Sequence, residues 1–184
     1  PIVVIVVSGI VFWLIVWRGQ FEISVNVLEE LWNKNLINIF VSPIKFSEWT
    51  VAFLILGMIK AAVSCAFASL IAYLLYKVQI LMYGFYILPF AFLLLLTAWW
   101  IGFFTSGLIL RYGTKVQAFA WALPMVISPF TGIYYPVATL PLWAQKIALF
   151  VPTSYVFEGI REVIASGAVS WDKFGYSLVL NLVF

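Results

Sequence analysis

The stretch WTVAFLILGMIKAAVSCAFASLIAYLLY, residues 49–76, decides the fold class. It is apolar from end to end apart from Lys60. About 20 such residues are enough for a helix to cross the roughly 30 Å hydrocarbon layer of a bilayer. Comparable runs lie on either side. Residues 1–17 precede it and are closed by Arg18. Residues 81–110 follow, with Pro89 near their start and Arg111 at their end. Residues 116–135 come next and contain Pro124 and Pro129, and a short apolar run occupies residues 174–184. The first and last runs meet the ends of the sequence, and residue 1 is Pro rather than Met. The chain therefore reads as an internal piece of a longer protein, with spans 1–17 and 174–184 truncated.

Composition agrees with a lipid solvent. Of the 184 residues, 65% are hydrophobic and 9% charged, against roughly half and a quarter in soluble domains. Aromatic residues make up 19%, as expected where rings collect at membrane interfaces. The formal charge is +3, but the ten basic residues are scattered singly. No cluster tracks a phosphate backbone, so nucleic acid is not an expected partner. Cys65 is the single cysteine and can form no internal disulfide.

Two hydrophilic connections, residues 18–48 and 136–173, fall on opposite sides of the membrane by alternation of the spans. Arg18, Lys34, Lys45, Arg111 and Lys115 belong to one side; Lys77, Lys146, Arg161 and Lys173 belong to the other. The positive-inside rule places the first set in the cytoplasm, by a margin of one residue. Within 18–48, NVLEELWNKNLINIF (residues 26–40) predicts a short amphipathic helix. Asn26 and Glu29 suit its first turn. Leu28, Leu31, Trp32, Leu36 and Ile39 share one face. Such a helix either lies on the headgroups or docks a cytoplasmic partner.

The 49–76 span carries Gly57, Ala61, Cys65 and Ser69 at intervals of four. Stripes of small residues let helix backbones approach closely in lipid, so these four are read as helix-packing residues. Lys60 is read as snorkelling toward an interface, with a role in a substrate pathway as the alternative. Residues 134–165, YYPVATLPLWAQKIALFVPTSYVFEGIREVIA, hold three prolines and two short apolar stripes. They predict a pair of short amphipathic helices dipping into one leaflet, with Glu158 and Arg161 spaced for an i,i+3 pair.

Several chemistries lack their residues. The sequence has no histidine, and neither a phosphate-binding loop nor a nucleophile elbow occurs. One cysteine cannot build a thiolate metal site. Between Trp49 and Glu158 there is no Asp or Glu, whereas an ion-coupled carrier ordinarily uses an intramembrane carboxylate. Energy for uphill transport would then come from another subunit.

Three segments resemble the permeases of type 2 ATP-binding-cassette transporters. SPFTGIYYPVATLPLWAQKIALFVPTSYVFEGIREVI (128–164) is similar to the external end of that family's fifth span. LEELWNKNLINIFVSPIKFSEW (28–49) resembles its cytoplasmic coupling region, and GLILRYGTKVQAFAW (107–121) its turn between spans four and five. The resemblance implies an all-α polytopic membrane protein, a bundle of transmembrane helices with a cytoplasmic coupling helix and short external amphipathic helices. It further implies a bacterial inner-membrane exporter, in which the permease dimerises and is not itself catalytic. ATP and magnesium would be bound by a separate nucleotide-binding subunit, with no cofactor on this chain. Leu28, Glu29, Glu30, Leu31, Trp32, Asn33, Lys34, Asn35 and Leu36 would meet that ATPase. Tyr134, Tyr135, Pro136, Pro141, Trp143, Glu158 and Arg161 would form an external gate. An ion-coupled secondary transporter and a membrane-embedded lipid-modifying enzyme are the alternatives.

Overall fold

The computed structural model describes residues 2–168 and 171–184. Pro1 of the first expected span and Val169 and Ser170 of the expected 136–173 hairpin lie outside the described residues. The protein is an all-α membrane bundle. Its helices are α1 (Ile2–Trp32), α2 (Leu36–Val41), α3 (Phe46–Tyr76), α4 (Ile87–Tyr112), α5 (Phe119–Ile127), α6 (Leu142–Ala148), α7 (Pro152–Ser166) and α8 (Trp171–Val183). Among the described residues, three stretches are long and apolar enough to cross a bilayer: Ile2–Trp32, Phe46–Tyr76 and Ile80–Val116.

The largest departure from the sequence reading lies in α1. A span ending at Trp17 and a loop from Arg18 were expected, yet the helix runs unbroken to Trp32. The polar residues after Trp17 are taken up by neighbouring helices. Gln20, Glu22 and Ser24 are all buried. Asn26 does not cap a new helix, because its amide donates back to the Glu22 carbonyl one turn earlier. The expected amphipathic helix 26–40 is instead divided at residues 33–35. Lys34 takes a left-handed φ of 54° there. Asn35 N donates to Glu30 O and Lys34 N to Leu31 O, at 2.9 and 3.1 Å, the paired bonds of a Schellman ending. Glycine usually fills that position, so a lysine gives no sequence signal of the break.

The fourth expected span, 116–135, is also shorter. α5 holds nine residues, about 14 Å at 1.5 Å per residue, and passes into a 3-10 turn at Ser128–Phe130. Pro124 and Pro129 each remove a backbone donor, and Gly132 with φ 74° turns the chain. Between α3 and α4 a 3-10 segment, Ile80–Tyr86, folds back into the bundle. Tyr83 is buried there with its ring edge-on to Phe12 at 5.5 Å.

α1 is the central helix. Gly19 and Gly102 bring it against α4: a Cβ at Gly19 would stand 2.8 Å from the Ala98 Cβ, and one at Gly102 would stand 2.9 Å from the Ile23 Cβ. α3 packs on another side of α1 through Gly57 and Ala61, both buried. The pairings Gly19–Ala98 and Ile23–Gly102 make α1 parallel to α4, while Gln20–Ala120 and Gly9–Ile133 make it antiparallel to α5. The bundle thus has two ends. One gathers α2 and the 113–118 turn, joined where Trp32 Nε1 donates to Gln117 Oε1 at 3.3 Å. The other gathers the 77–86 segment and α6–α7, with Phe157 packed against Trp13.

This arrangement removes the charge asymmetry used above. Arg18 lies within α1 rather than at the α2 end, leaving Lys34, Lys45, Arg111 and Lys115 against Lys77, Lys146, Arg161 and Lys173. Four basic residues at each end give the positive-inside rule nothing to choose between.

Candidate functional site

The α2 end presents an exposed surface on a buried root. Leu28 is fully buried among Val25, Val27, Ile109 and Ala120. One turn on, Trp32 is half-exposed, and Ile37, Phe40, Val41 and Ile44 are exposed, as is Phe46, whose ring meets that of Trp49 at 5.8 Å. The nine residues read as a coupling surface therefore straddle the end of α1, the turn and the start of α2. Glu29, Trp32, Asn33 and Lys34 face out, whereas Glu30 accepts from the Asn35 amide at 2.7 Å. Glu48 secures the start of α3 by accepting from Lys45 N at 3.1 Å.

Midway along the bundle, α1 carries polar groups that the sequence reading assigned to a loop. Gln20 Nε2 donates to Ala120 O at 3.1 Å, and both residues are fully buried. That carbonyl stands four residues before Pro124, so its ordinary helical donor does not exist. The Gln20 amide supplies the missing hydrogen bond, which is how a proline-broken helix is tolerated where water is absent. The Ala120–Pro124 spacing is the signal that could have found the need, although the donor's identity required the fold. A comparable tie joins α8 to α4, where Thr97 Oγ1 and Asn181 Oδ1 lie 2.7 Å apart.

Lys60 finds a partner on α1. Its Nζ lies 2.8 Å from Glu22 Oε2, an ion pair between α3 and α1 in which the Glu22 side chain is 6% exposed and that of Lys60 48%. Spans free of carboxylates were an argument against an ion-coupled carrier. With Glu22 placed in α1, that argument no longer holds as stated. The small-residue stripe faces the same neighbour: Cys65 Sγ approaches Val11 O at 3.4 Å, and Ser69 is half-buried. Beside it lies an apolar cavity of about 760 Å³ lined by Val11, Phe12, Ala61, Cys65, Ser69, Ala91 and Leu95, among others.

At the opposite end Glu158 and Arg161 hold the turn after α5. Glu158 Oε1 accepts from Val137 N at 3.0 Å and sits 3.4 Å from Arg161 Nη1. Arg161 Nη2 donates to Gly132 O. Burial pulls the Arg161 pKa down while the Glu158 carboxylate pushes it up; arginine stays charged throughout. Tyr135 OH donates to Pro129 O at 2.9 Å, Tyr134 is exposed, and Trp143 meets Phe130 edge-on at 6.1 Å. Pro136 and Pro141 flank the short 3-10 turn that leads into α6. These residues build one tethered cap rather than a reactive cluster. Among the described residues no group of three or more Cys, Asp or Glu could hold a metal ion.

No curated protein matches the chain. The family profile of the ABC-2 type transporter, however, matches residues 2–165, from the first described residue of α1 to within a residue of the end of α7, and the chain therefore belongs to that family as a membrane permease component of an ABC transporter.

Proposed function

We propose that this chain forms the substrate path of an exporter powered by a separate nucleotide-binding subunit, which docks on the end of α1, the 33–35 turn and α2. The observation that carries this reading is the continuity of α1. Exposed Trp32 and the apolar α2 sit directly on a helix that is rooted at Leu28 and runs through the bundle core. A rigid helix transmits displacement along its length, whereas a flexible loop would absorb it. The α2 end then faces the cytoplasm, the α6–α7 cap faces outward, and a second copy completes the path in a bacterial inner membrane. ATP and magnesium stay on the partner subunit.

The test is a photocrosslinker at Asn33 in the full-length protein, with mass spectrometry of what it captures. Capture of an ATP-binding subunit supports the reading; capture of lipid alone would reduce this surface to an interfacial segment. The Glu22–Lys60 pair motivates a second reading, an ion-coupled carrier. Gradient-driven transport by the purified permease without any ATPase would establish it.

A further inference from the structure

We infer that Arg18 and the groove leading from it hold the anionic headgroup and apolar chain of a membrane amphiphile in transit. This rests on the permease reading and names a substrate class for it. Arg18 is exposed on α1, and no described residue hydrogen-bonds or ion-pairs with it. Its depth is fixed by the neighbouring Gly19, which packs against Ala98 near the middle of the 26-residue α4. No Asp, Glu, Lys or Arg occurs between Lys77 and Arg111. Arg18 therefore lies at half-depth in a bundle whose own ruler is apolar. A charge there is costly unless something answers it.

Glu22 does not answer it, because its buried carboxylate is taken by Lys60. Arg18, Glu22 and Lys60 together carry one uncompensated positive charge. From Arg18 and Ser64, a groove of about 430 Å³ runs between α1 and α3, floored by Val7, Ile10, Leu14, Phe67 and Ile71. Val7 to Arg18 measures about 16 Å along the helix, roughly half the hydrocarbon thickness. One cation at the head of a one-leaflet apolar groove fits a monoanionic phosphodiester bearing a hydrocarbon chain. A resting lipid keeps its phosphate at the interface, so a phosphate drawn to this depth belongs to a molecule being moved.

The experiment uses the full-length permease with its nucleotide-binding subunit in nanodiscs. Phosphatidylglycerol and phosphatidylcholine carry the same photoreactive acyl chain, and labelled peptides are mapped. Phosphatidylglycerol is expected to label α1 and α3 peptides flanking the groove preferentially. Arg18→Gln should cut that labelling at least about tenfold, the loss of one hydrogen bond to a charged group. Arg18→Lys should retain most of it, and Arg111→Gln should leave it unchanged. Equal labelling by both lipids, persistence in Arg18→Gln, or capture of a second permease copy at position 18 would each overturn the site. Displacement by inorganic phosphate would do the same, since it would assign Arg18 to a soluble anion. Co-purification of the nucleotide-binding subunit reports separately on the permease reading: labelling absent with that subunit retained defeats the site alone.

Discussion

Replacing Gln20 with Met keeps the side-chain length and deletes the donor to Ala120 O. The carbonyl is fully buried beside a proline that cannot supply an N–H, so neither water nor the helix itself replaces the bond. An orphaned buried acceptor costs about 1–3 kcal/mol. Interhelical bonds in lipid are worth less, up to about 1.7 kcal/mol, because the reference state finds other partners. The complete burial of Ala120 favours the region where those ranges overlap, about 1–1.7 kcal/mol. Pro124→Ala restores the missing N–H, giving Ala120 O a donor within α5. The double variant Gln20→Met/Pro124→Ala should then recover most of the loss, with a coupling of about 1 kcal/mol. Equilibrium unfolding of the four proteins of the cycle in one detergent measures it. Strictly additive losses would refute the claim that Gln20 substitutes for the amide that proline lacks.

Gly19→Ala forces its new Cβ to within 2.8 Å of the Ala98 Cβ, and should destabilise the bundle by about 1–3 kcal/mol; Ala98→Gly in the same chain should restore the melting temperature. Lys60→Leu strands the buried Glu22 carboxylate and should cost about 3 kcal/mol. Glu22→Leu leaves a half-exposed lysine and should cost nearer 1 kcal/mol, with the double variant close to wild type by thermal unfolding. Arg161→Gln frees the Gly132 turn, and chymotrypsin should cut after Tyr134 about tenfold faster, as loss of one charge-assisted hydrogen bond predicts. Trp32→Asp places a charge on the proposed docking surface. It should abolish permease-stimulated ATP hydrolysis in the reconstituted complex, and retained stimulation would count against the docking assignment.

The helices with unbroken apolar runs were legible from composition alone: residues 49–76 correspond closely to α3 and residues 81–110 to most of α4. The short helices α6 and α7 follow Pro141 and Pro152 as local chemistry requires. What failed was the assumption that charge ends a span. Arg18, Glu22 and Asn26 lower hydropathy, but a polar residue continues a helix when another helix meets it. Lys60 stands 38 positions from Glu22 and Ala120 stands 100 from Gln20. No periodicity within α1 reveals either partner. The break at Lys34 was hidden for a different reason, since a left-handed lysine has no glycine to announce it.

The continuity of α1 also bears on how the proposed docking would act on the bundle. If residues 18–48 formed a loop, force applied near Trp32 would have to cross flexible chain before reaching any spanning helix. With α1 continuous, Trp32 and Gln20 belong to one rigid element about 18 Å apart along its axis. That element touches α4 through Gly19 and Gly102, α3 through Gly57 and the Glu22–Lys60 pair, and α5 through the Ala120 carbonyl. The α1–α4 contact is a close packing of small residues and resists sliding. The α1–α3 contact is close packing as well, with Gly57 set against Gly19 and Glu22, whereas α5 is tied on by the Gln20–Ala120 bond and the packing of Leu28 with Ala120. A push at the proposed docking end should therefore move α1, α3 and α4 together and spend its displacement against α5. Arg18 and Ser64 stand on the two walls of the same groove, so the proposed headgroup site is carried along with α1 and α3 rather than widened by their motion.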